Sequence, residues 1–303
     1  MPREEAARAI AQWRELVERP YNNLLDARRN VEEFYAQFPV PADVHVEQVT
    51  IGKASADWLA TQGADAHRVV LYLHGGAYVL CSAHGYREMT SRIARAAGAR
   101  TLVLDYRLAP ENPFPAGLQD AVAAYRWLLE QGVAPASIVI AGDSAGGGLT
   151  LATLVSLRDA GVPLPSGAVC ISPWIDLECT GATMETKAEV DPLCTKESLL
   201  KEAAVYLAGE NARHPLASPF YADLRGLPPL LIQVGSEETL LEDGHRLERR
   251  AKSAGVAVEL QVFEGMPHVW HVFASYLPEA QEAIDRIGEF ARQRTRAADS
   301  ARV

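Results

Sequence analysis

Short, nearly all-apolar runs alternate along this chain with longer stretches whose apolar residues recur at helical spacing. The runs at 44–51, 69–73, 101–104, 138–141, 168–171, 230–234 and 258–263 predict strands. The stretches at 86–97, 118–131, 145–160 and 245–254 predict helices between them. Strand, turn and helix repeated in this way predict an α/β fold, a mostly parallel sheet with helices on both faces. The run Val69-Val70-Leu71-Tyr72-Leu73 has no polar alternation, as a strand buried on both faces requires. In such sheets a ligand site lies at the carboxyl ends of the strands, so the residues that follow each strand carry the functional information.

Two regions depart from the alternation. Residues 1 to about 40 read as two amphipathic helices, with Ile10, Trp13, Leu16 and Val17 on one and Leu24, Leu25, Val31, Phe34 and Tyr35 on the other. Residues 176–219 hold no clear strand and one helical run near 197–207, as expected of an insertion. The two segments are expected to form a helical cap on a single domain spanning 1–303. The polar tail after Arg292 is expected to fray.

Composition narrows the possible functions. The formal net charge of −10 argues against nucleic-acid binding, which needs clustered Lys and Arg. The four cysteines, Cys81, Cys170, Cys179 and Cys194, form no C-x-x-C pair and predict free thiols rather than a zinc site or a disulfide framework. Met1-Pro2-Arg3-Glu4-Glu5 is followed by no apolar core run, unlike a secretory leader. No stretch reaches the roughly 18 apolar residues of a membrane span. A cytoplasmic protein with no stable membrane association is expected.

The strand at 138–141 runs into Gly142-Asp143-Ser144-Ala145-Gly146-Gly147-Gly148 and then into a helix. This is G-x-S-x-G at a strand-to-helix turn, where a serine Oγ is held exposed at the helix N-terminus. A phosphate-binding loop is the rival, but the Lys-Ser/Thr ending and the G-x-G-x-x-G spacing are both missing. Ser144 is the expected nucleophile, and Asp143 is expected to fix the turn. The strand at 69–73 ends in His74-Gly75-Gly76-Ala77-Tyr78. The N–H groups of Gly76 and Ala77, with that of Ala145 and a contribution from Gly75, are expected to form an oxyanion hole. A serine nucleophile needs a base, and of eight histidines His268 follows the last strand at the correct end of the sheet.

His74-Gly75-Gly76, Asp105-Tyr106-Arg107-Leu108-Ala109-Pro110-Glu111 and Gly142-Asp143-Ser144-Ala145-Gly146-Gly147 together resemble the bacterial hormone-sensitive-lipase family of esterases, over nearly the whole chain. The resemblance implies an α/β-hydrolase fold and a carboxylesterase acting on short-chain acyl esters, acetyl to hexanoyl, with no metal or cofactor. Ala77 stands where the family often has a third Gly. Related esterases usually carry Asp-Pro-Leu, a variable residue and two acids before Gly. That pattern laid on Glu238-Thr239-Leu240-Leu241-Glu242-Asp243-Gly244 makes Glu238 the acid, with Glu237 as alternative. The chain order Ser144, Glu238, His268 agrees with the fold. Asp191-Pro192-Leu193 resembles the acid motif but lies in the insertion, and is expected to be a decoy. By the same resemblance Arg107 pairs with Glu111 near the Gly loop, and a homodimer forms through an edge strand. Phe34, Tyr78, Trp174 and Leu207 are candidate pocket walls, with Trp13 and Tyr21 beside them. An amidase or deacetylase using the same residues is the main alternative, and a non-catalytic small-molecule receptor the remote one.

Overall fold

The structure, a computed structural model, describes residues 4–299; Met1-Pro2-Arg3 of the N-terminal segment and the last residues of the tail lie outside them. Two helices, α1 (Glu4–Glu18) and α2 (Leu24–Tyr35), precede a hairpin of β1 (Val44–Ile51) and β2 (Ala54–Thr61). There follow β3 (Asp65–Leu73), α3 (Arg87–Ala97), β4 (Ala99–Asp105), α4 (Ala116–Glu130), β5 (Ile138–Asp143), α5 (Ala145–Asp159) and β6 (Gly167–Ile171). The remainder is α6 (Thr183–Thr186), α7 (Lys196–Leu207), β7 (Leu230–Gly235), α8 (Leu241–Ser253), β8 (Val258–Phe263) and α9 (Pro278–Asp299).

The strands form one eight-stranded sheet in the order β1-β2-β4-β3-β5-β6-β7-β8, parallel from β4 to β8 and antiparallel at the β1-β2-β4 edge. Successive residues of the central strands feed opposite faces. Val69, Leu71, Leu73, Ile138 and Ile140 join a core with α4, α5, α7 and α8. Val70, Tyr72, Val139 and Ala141 join the other core, with α1, α2, α3 and α9. The near-continuous apolar strands are thus explained by helices on both faces.

Three features escaped the periodic pattern. Strand β2 is rich in Ala and carries Asp57, which weakens its strand signal. Buried Asp57 is accommodated by Arg87, whose Nε lies 2.7 Å from Oδ2. Helix α8 starts at Leu241 rather than 245, and its Gly244 lets it approach β7, where a Cβ would lie 2.5 Å from Val234 Cγ1. Helix α9 runs on to Asp299 instead of fraying at Arg292. Thr295, 3% exposed, accepts a 2.6 Å bond from Arg68 Nε and holds that end onto β3.

Helices α1 and α2 pack from one face of the sheet and α7 from the other, and residues of all three meet above the carboxyl ends of the strands. The start of α7 is set by Thr195, which exchanges capping bonds with Ser198. Asn23 caps α2 by accepting from Asp26 N.

Candidate active site

The turn from β5 to α5 is built by close approach. A Cβ on Gly142 would lie 2.3 Å from Gly146 O, and one on Gly146 would lie 2.0 Å from Leu73 O. Both positions therefore require glycine for space. Ser144 sits between them at φ 52°, ψ −120°. Such a backbone costs about 1–3 kcal/mol and persists only where its surroundings impose it. Here Ser144 N donates to Ile171 O at 2.8 Å, and Ser144 O accepts from Trp174 N at 2.9 Å and Gly147 N at 3.0 Å. Ser144 lines the cavity at the carboxyl edge.

The Gly loop after β3 is tied to the same turn. Asp143 Oδ1 accepts from Tyr72 Oη at 2.8 Å and Gly75 N at 3.1 Å, and Oδ2 accepts from Tyr86 Oη at 2.8 Å. Burial pushes the Asp143 carboxyl up to about 6 despite these donors. The Gly75 N–H is thus spent on Asp143 and is unavailable to an oxyanion, a correction to its expected contribution. Gly76, Ala77 and Tyr78 follow with φ of 99°, 52° and 66°, a left-handed run that turns the chain over the cavity. Gly76 and Ala77 line that cavity, and among the described residues their N–H groups have no protein acceptor. Ala145 N–H is the first of α5, where helical bonding leaves the N–H groups free. Ala77 adopts the left-handed conformation at about 1 kcal/mol more than glycine would.

His268 lies on the loop after β8, buried at 1% exposure, with Nδ1 2.5 Å from Glu238 Oε2. Glu238 is fully buried, and its Oε1 accepts from Gly235 N at 2.7 Å and Ser172 Oγ at 3.0 Å. Ser172 Oγ also accepts from Val269 N at 3.2 Å, so one hydroxyl joins Glu238 to the His268 loop. Burial disfavours the imidazolium, but the neighbouring Cys194 and Glu238 outweigh it and hold His268 well above its usual value. Burial also raises the Cys194 thiol, which stays neutral near pH 7, so the carboxylate is the charge that acts. His271, beside it in sequence, bonds Gln233 Oε1 through Nε2 at 2.8 Å, and burial lowers it to about 3. It remains a neutral core histidine. Glu237 points elsewhere and pairs with Lys187 at 3.3 Å.

Asp191 lies in the insertion, yet it is not remote from the Glu238 loop. Its Oδ2 accepts from Thr239 N at 2.7 Å and Thr239 Oγ1 at 3.0 Å, and Oδ1 accepts from Leu193 N and Cys194 N, both at 2.9 Å. The bond to the Thr239 N–H is one that the family's usual proline could not make. Asp191 thus fastens the insertion to the residue after Glu238. Sequence reasoning missed both this clamp and Ser172, whose only signal was a polar residue at the end of a buried strand.

The cavity has a volume of about 250 Å³, and Trp13, Leu16, Val31, Tyr35, Leu80 and Leu199 line it together with Ser144 and His268. Trp13 also donates from Nε1 to His268 O at 3.0 Å, so α1 bears directly on the His268 loop. Trp13 and Tyr21 line the cavity as expected. Phe34, Tyr78, Trp174 and Leu207 do not. Phe34 stacks behind Trp13 at 4.9 Å, and Tyr78 stacks on Tyr206 at 3.8 Å. Trp174 is fully buried with Nε1 on Asp176 O, and Leu207 packs into the α7 side of the core. All four turn their apolar surface to neighbouring side chains instead of the cavity. The expected Arg107–Glu111 pair is absent too. Arg107 grips the buried Asp120 of α4 with two contacts of 2.8 Å. Glu111 pairs with Arg28 of α2 at 2.8 Å, and Arg28 also donates to Val79 O and Ala109 O, each at 2.9 Å. Burial explains the exchange: Asp120 needs the nearer cation more than half-exposed Glu111 does.

No helix among the described residues is long and apolar enough to cross a membrane, and no group of His, Cys, Asp and Glu among them is arranged to hold a metal. A model of the α/β-hydrolase fold matches residues 70–272. An acetyl-hydrolase of Streptomyces hygroscopicus is 47% identical over 289 residues, covering 93% of this chain and 95% of that protein. An esterase of Acinetobacter venetianus is 34% identical over 255 residues, 84% of each chain. A crystal structure of an esterase from the bacterial hormone-sensitive-lipase family matches with a TM-score of 0.96 at 51% identity, covering 97% of this chain and 99% of that one. The fold, the strand-to-helix serine and these likenesses agree: the chain belongs to the α/β-hydrolase fold family, among the bacterial hormone-sensitive-lipase esterases.

Proposed function

We propose that the protein is a carboxylesterase that cleaves short-chain acyl esters through Ser144, His268 and Glu238 by way of an acyl-enzyme. The observation that carries this reading is the 2.5 Å bond between His268 Nδ1 and the buried Glu238 Oε2, beside a cavity lined by both His268 and Ser144. That bond holds the proton of the neutral imidazole on Nδ1, so that in this form Nε2 is the base. His268 Nε2 takes the hydroxyl proton as Ser144 Oγ attacks the acyl carbon. The N–H groups of Gly76, Ala77 and Ala145 stabilise the oxyanion, each worth about 2.7–4 kcal/mol in the transition state. The protonated imidazole then gives its proton to the alkoxide, the C–O bond breaks and the alcohol leaves. Water, deprotonated by the same nitrogen, attacks the acyl-Ser144 ester and releases the acid. No step needs a metal or cofactor.

The volume of about 250 Å³ and its aromatic and aliphatic walls favour a small, uncharged acyl group. Residues 1–40 and 176–219 act in this reading as the cap that shapes those walls. The test is hydrolysis of p-nitrophenyl esters from acetate to dodecanoate by the wild type and Ser144→Ala. The expected result is a maximum at or below hexanoate, loss of turnover in Ser144→Ala, and a mass increase of one acyl group on wild-type Ser144 after rapid quench. Rates that climb steadily to dodecanoate would refute the short-chain preference. Faster cleavage of a matched amide than of its ester would make the protein an amidase instead.

A further inference from the structure

We propose that Glu202 selects esters whose alcohol portion carries a positive charge. The inference rests on the hydrolase reading above and extends it to the substrate class. In that chemistry His268 Nε2 delivers a proton to the leaving alkoxide, so the alcohol portion lies along the wall that holds His268. That wall continues through Cys194, whose thiol neighbours the imidazole, into α7. Helix α7 presents Ser198, Leu199 and Glu202 to the cavity. Ser198 and Glu202 are one turn apart, about 6 Å along the axis. Glu202 thus lines the same cavity into which the alcohol is released.

Glu202 is half-buried, and among the described residues it has no hydrogen bond and no ion pair. The other charged side chains of the cavity are occupied. Arg19 lies 3.5 Å from Glu15 and 4.0 Å from Glu33, and its Nη1 donates to Asn30 O. Asp143 is held by Tyr72 and Tyr86. The lysines of α7 are also paired, Lys201 with Glu197 and Lys196 with Glu185, each at 2.8 Å. Burial accordingly raises the Glu202 carboxyl with no cation to oppose it. A carboxylate partly removed from water without a partner is unfavourable, and a cationic alcohol group supplies what is missing. Trp13, Tyr21 and Tyr35 line the same cavity, and aromatic rings hold quaternary ammonium groups well. The net charge of −10 adds a weak attraction for cations at long range.

The test compares butyrylcholine with 3,3-dimethylbutyl butyrate, which has the same shape without the charge. The quantity read is the ratio of their kcat/KM values in the wild type, Glu202→Gln and Glu202→Lys. Using a ratio within each variant removes differences in folding and active fraction. We expect the ratio to fall about fivefold in Glu202→Gln and further in Glu202→Lys, and the wild-type preference to narrow as salt is raised. A ratio constant within about twofold in all three proteins, on the scale of that pair energy, overturns the proposal. So does cleavage of p-nitrophenyl butyrate with no cleavage of either alkyl ester. If the wild type cleaves none of the three, the esterase reading fails and takes this inference with it.

Discussion

Replacing Glu238 by Gln changes one atom of the proposed triad, and the structure dictates how the amide must sit. Oε1 accepts from both Gly235 N and Ser172 Oγ, whereas Oε2 faces only His268 Nδ1. Turning the new NH2 toward Gly235 would set donor against donor and leave a buried N–H unsatisfied, at about 1–3 kcal/mol. The amide oxygen therefore stays on Gly235 and Ser172, and the NH2 group meets His268 Nδ1. That nitrogen must then accept, so the ring proton moves to Nε2, the atom that should receive the proton of Ser144. The same inversion of tautomer in serine proteases lowers kcat about 10⁴-fold, close to 5 kcal/mol of transition-state stabilisation. We expect a loss of that size in kcat for p-nitrophenyl butyrate, with a native circular dichroism spectrum. Loss of the Glu238 charge should also shift the acid limb of kcat/KM to lower pH. The active imidazole is neutral, and without the carboxylate more acid is needed to convert it to imidazolium. Glu237→Gln, at a residue paired with Lys187, should stay near wild type. A loss under about tenfold, which is 1.4 kcal/mol, in folded Glu238→Gln refutes the reasoning, as does equal damage from Glu237→Gln.

Two further outcomes test the scaffold. Burial raises Asp243 from 3.8 to about 7, so between those values the folded chain keeps a proton that the unfolded chain has lost. Wild-type stability therefore falls as pH rises through that window, and Asp243→Asn, which can still accept from Ile175 N, should lack that fall. The variant should gain up to about 4 kcal/mol on the wild type between pH 4 and 8 by urea unfolding, and a constant difference would contradict it. In Gly146→Ala the new Cβ would lie 2.0 Å from Leu73 O and 2.5 Å from His74 O, both backbone atoms that no rotamer can move aside. That variant should lose about 3 kcal/mol or more of stability together with its esterase activity, and an unchanged melting temperature would show that the turn tolerates a side chain.

The amino-acid sequence by itself determined what depends on neighbours in the chain. The apolar runs specify strands buried on both faces, because side-chain direction alternates along a strand whatever it packs against. Ser144 is legible because glycines, strand and helix stand in one continuous segment, and His268 because it follows the last strand. Glu238 was legible only through the register of a family pattern. Only the tertiary structure decided the rest, since each such feature joins residues far apart in sequence. Gly75 looks like a free donor until Asp143, brought beside it by the parallel pairing of β3 and β5, takes its N–H. Asp191 looks like a stray copy of the acid motif until the insertion folds back onto Thr239. Arg28 joins Glu111 across 83 positions, and no local pattern announces a partner at that distance. The cavity walls went the same way. Phe34 and Trp13 are both large and apolar, and both are buried, but one stacks behind the other. Hydrophobicity tells a side chain to leave water; which neighbour it meets there is settled by close packing in three dimensions.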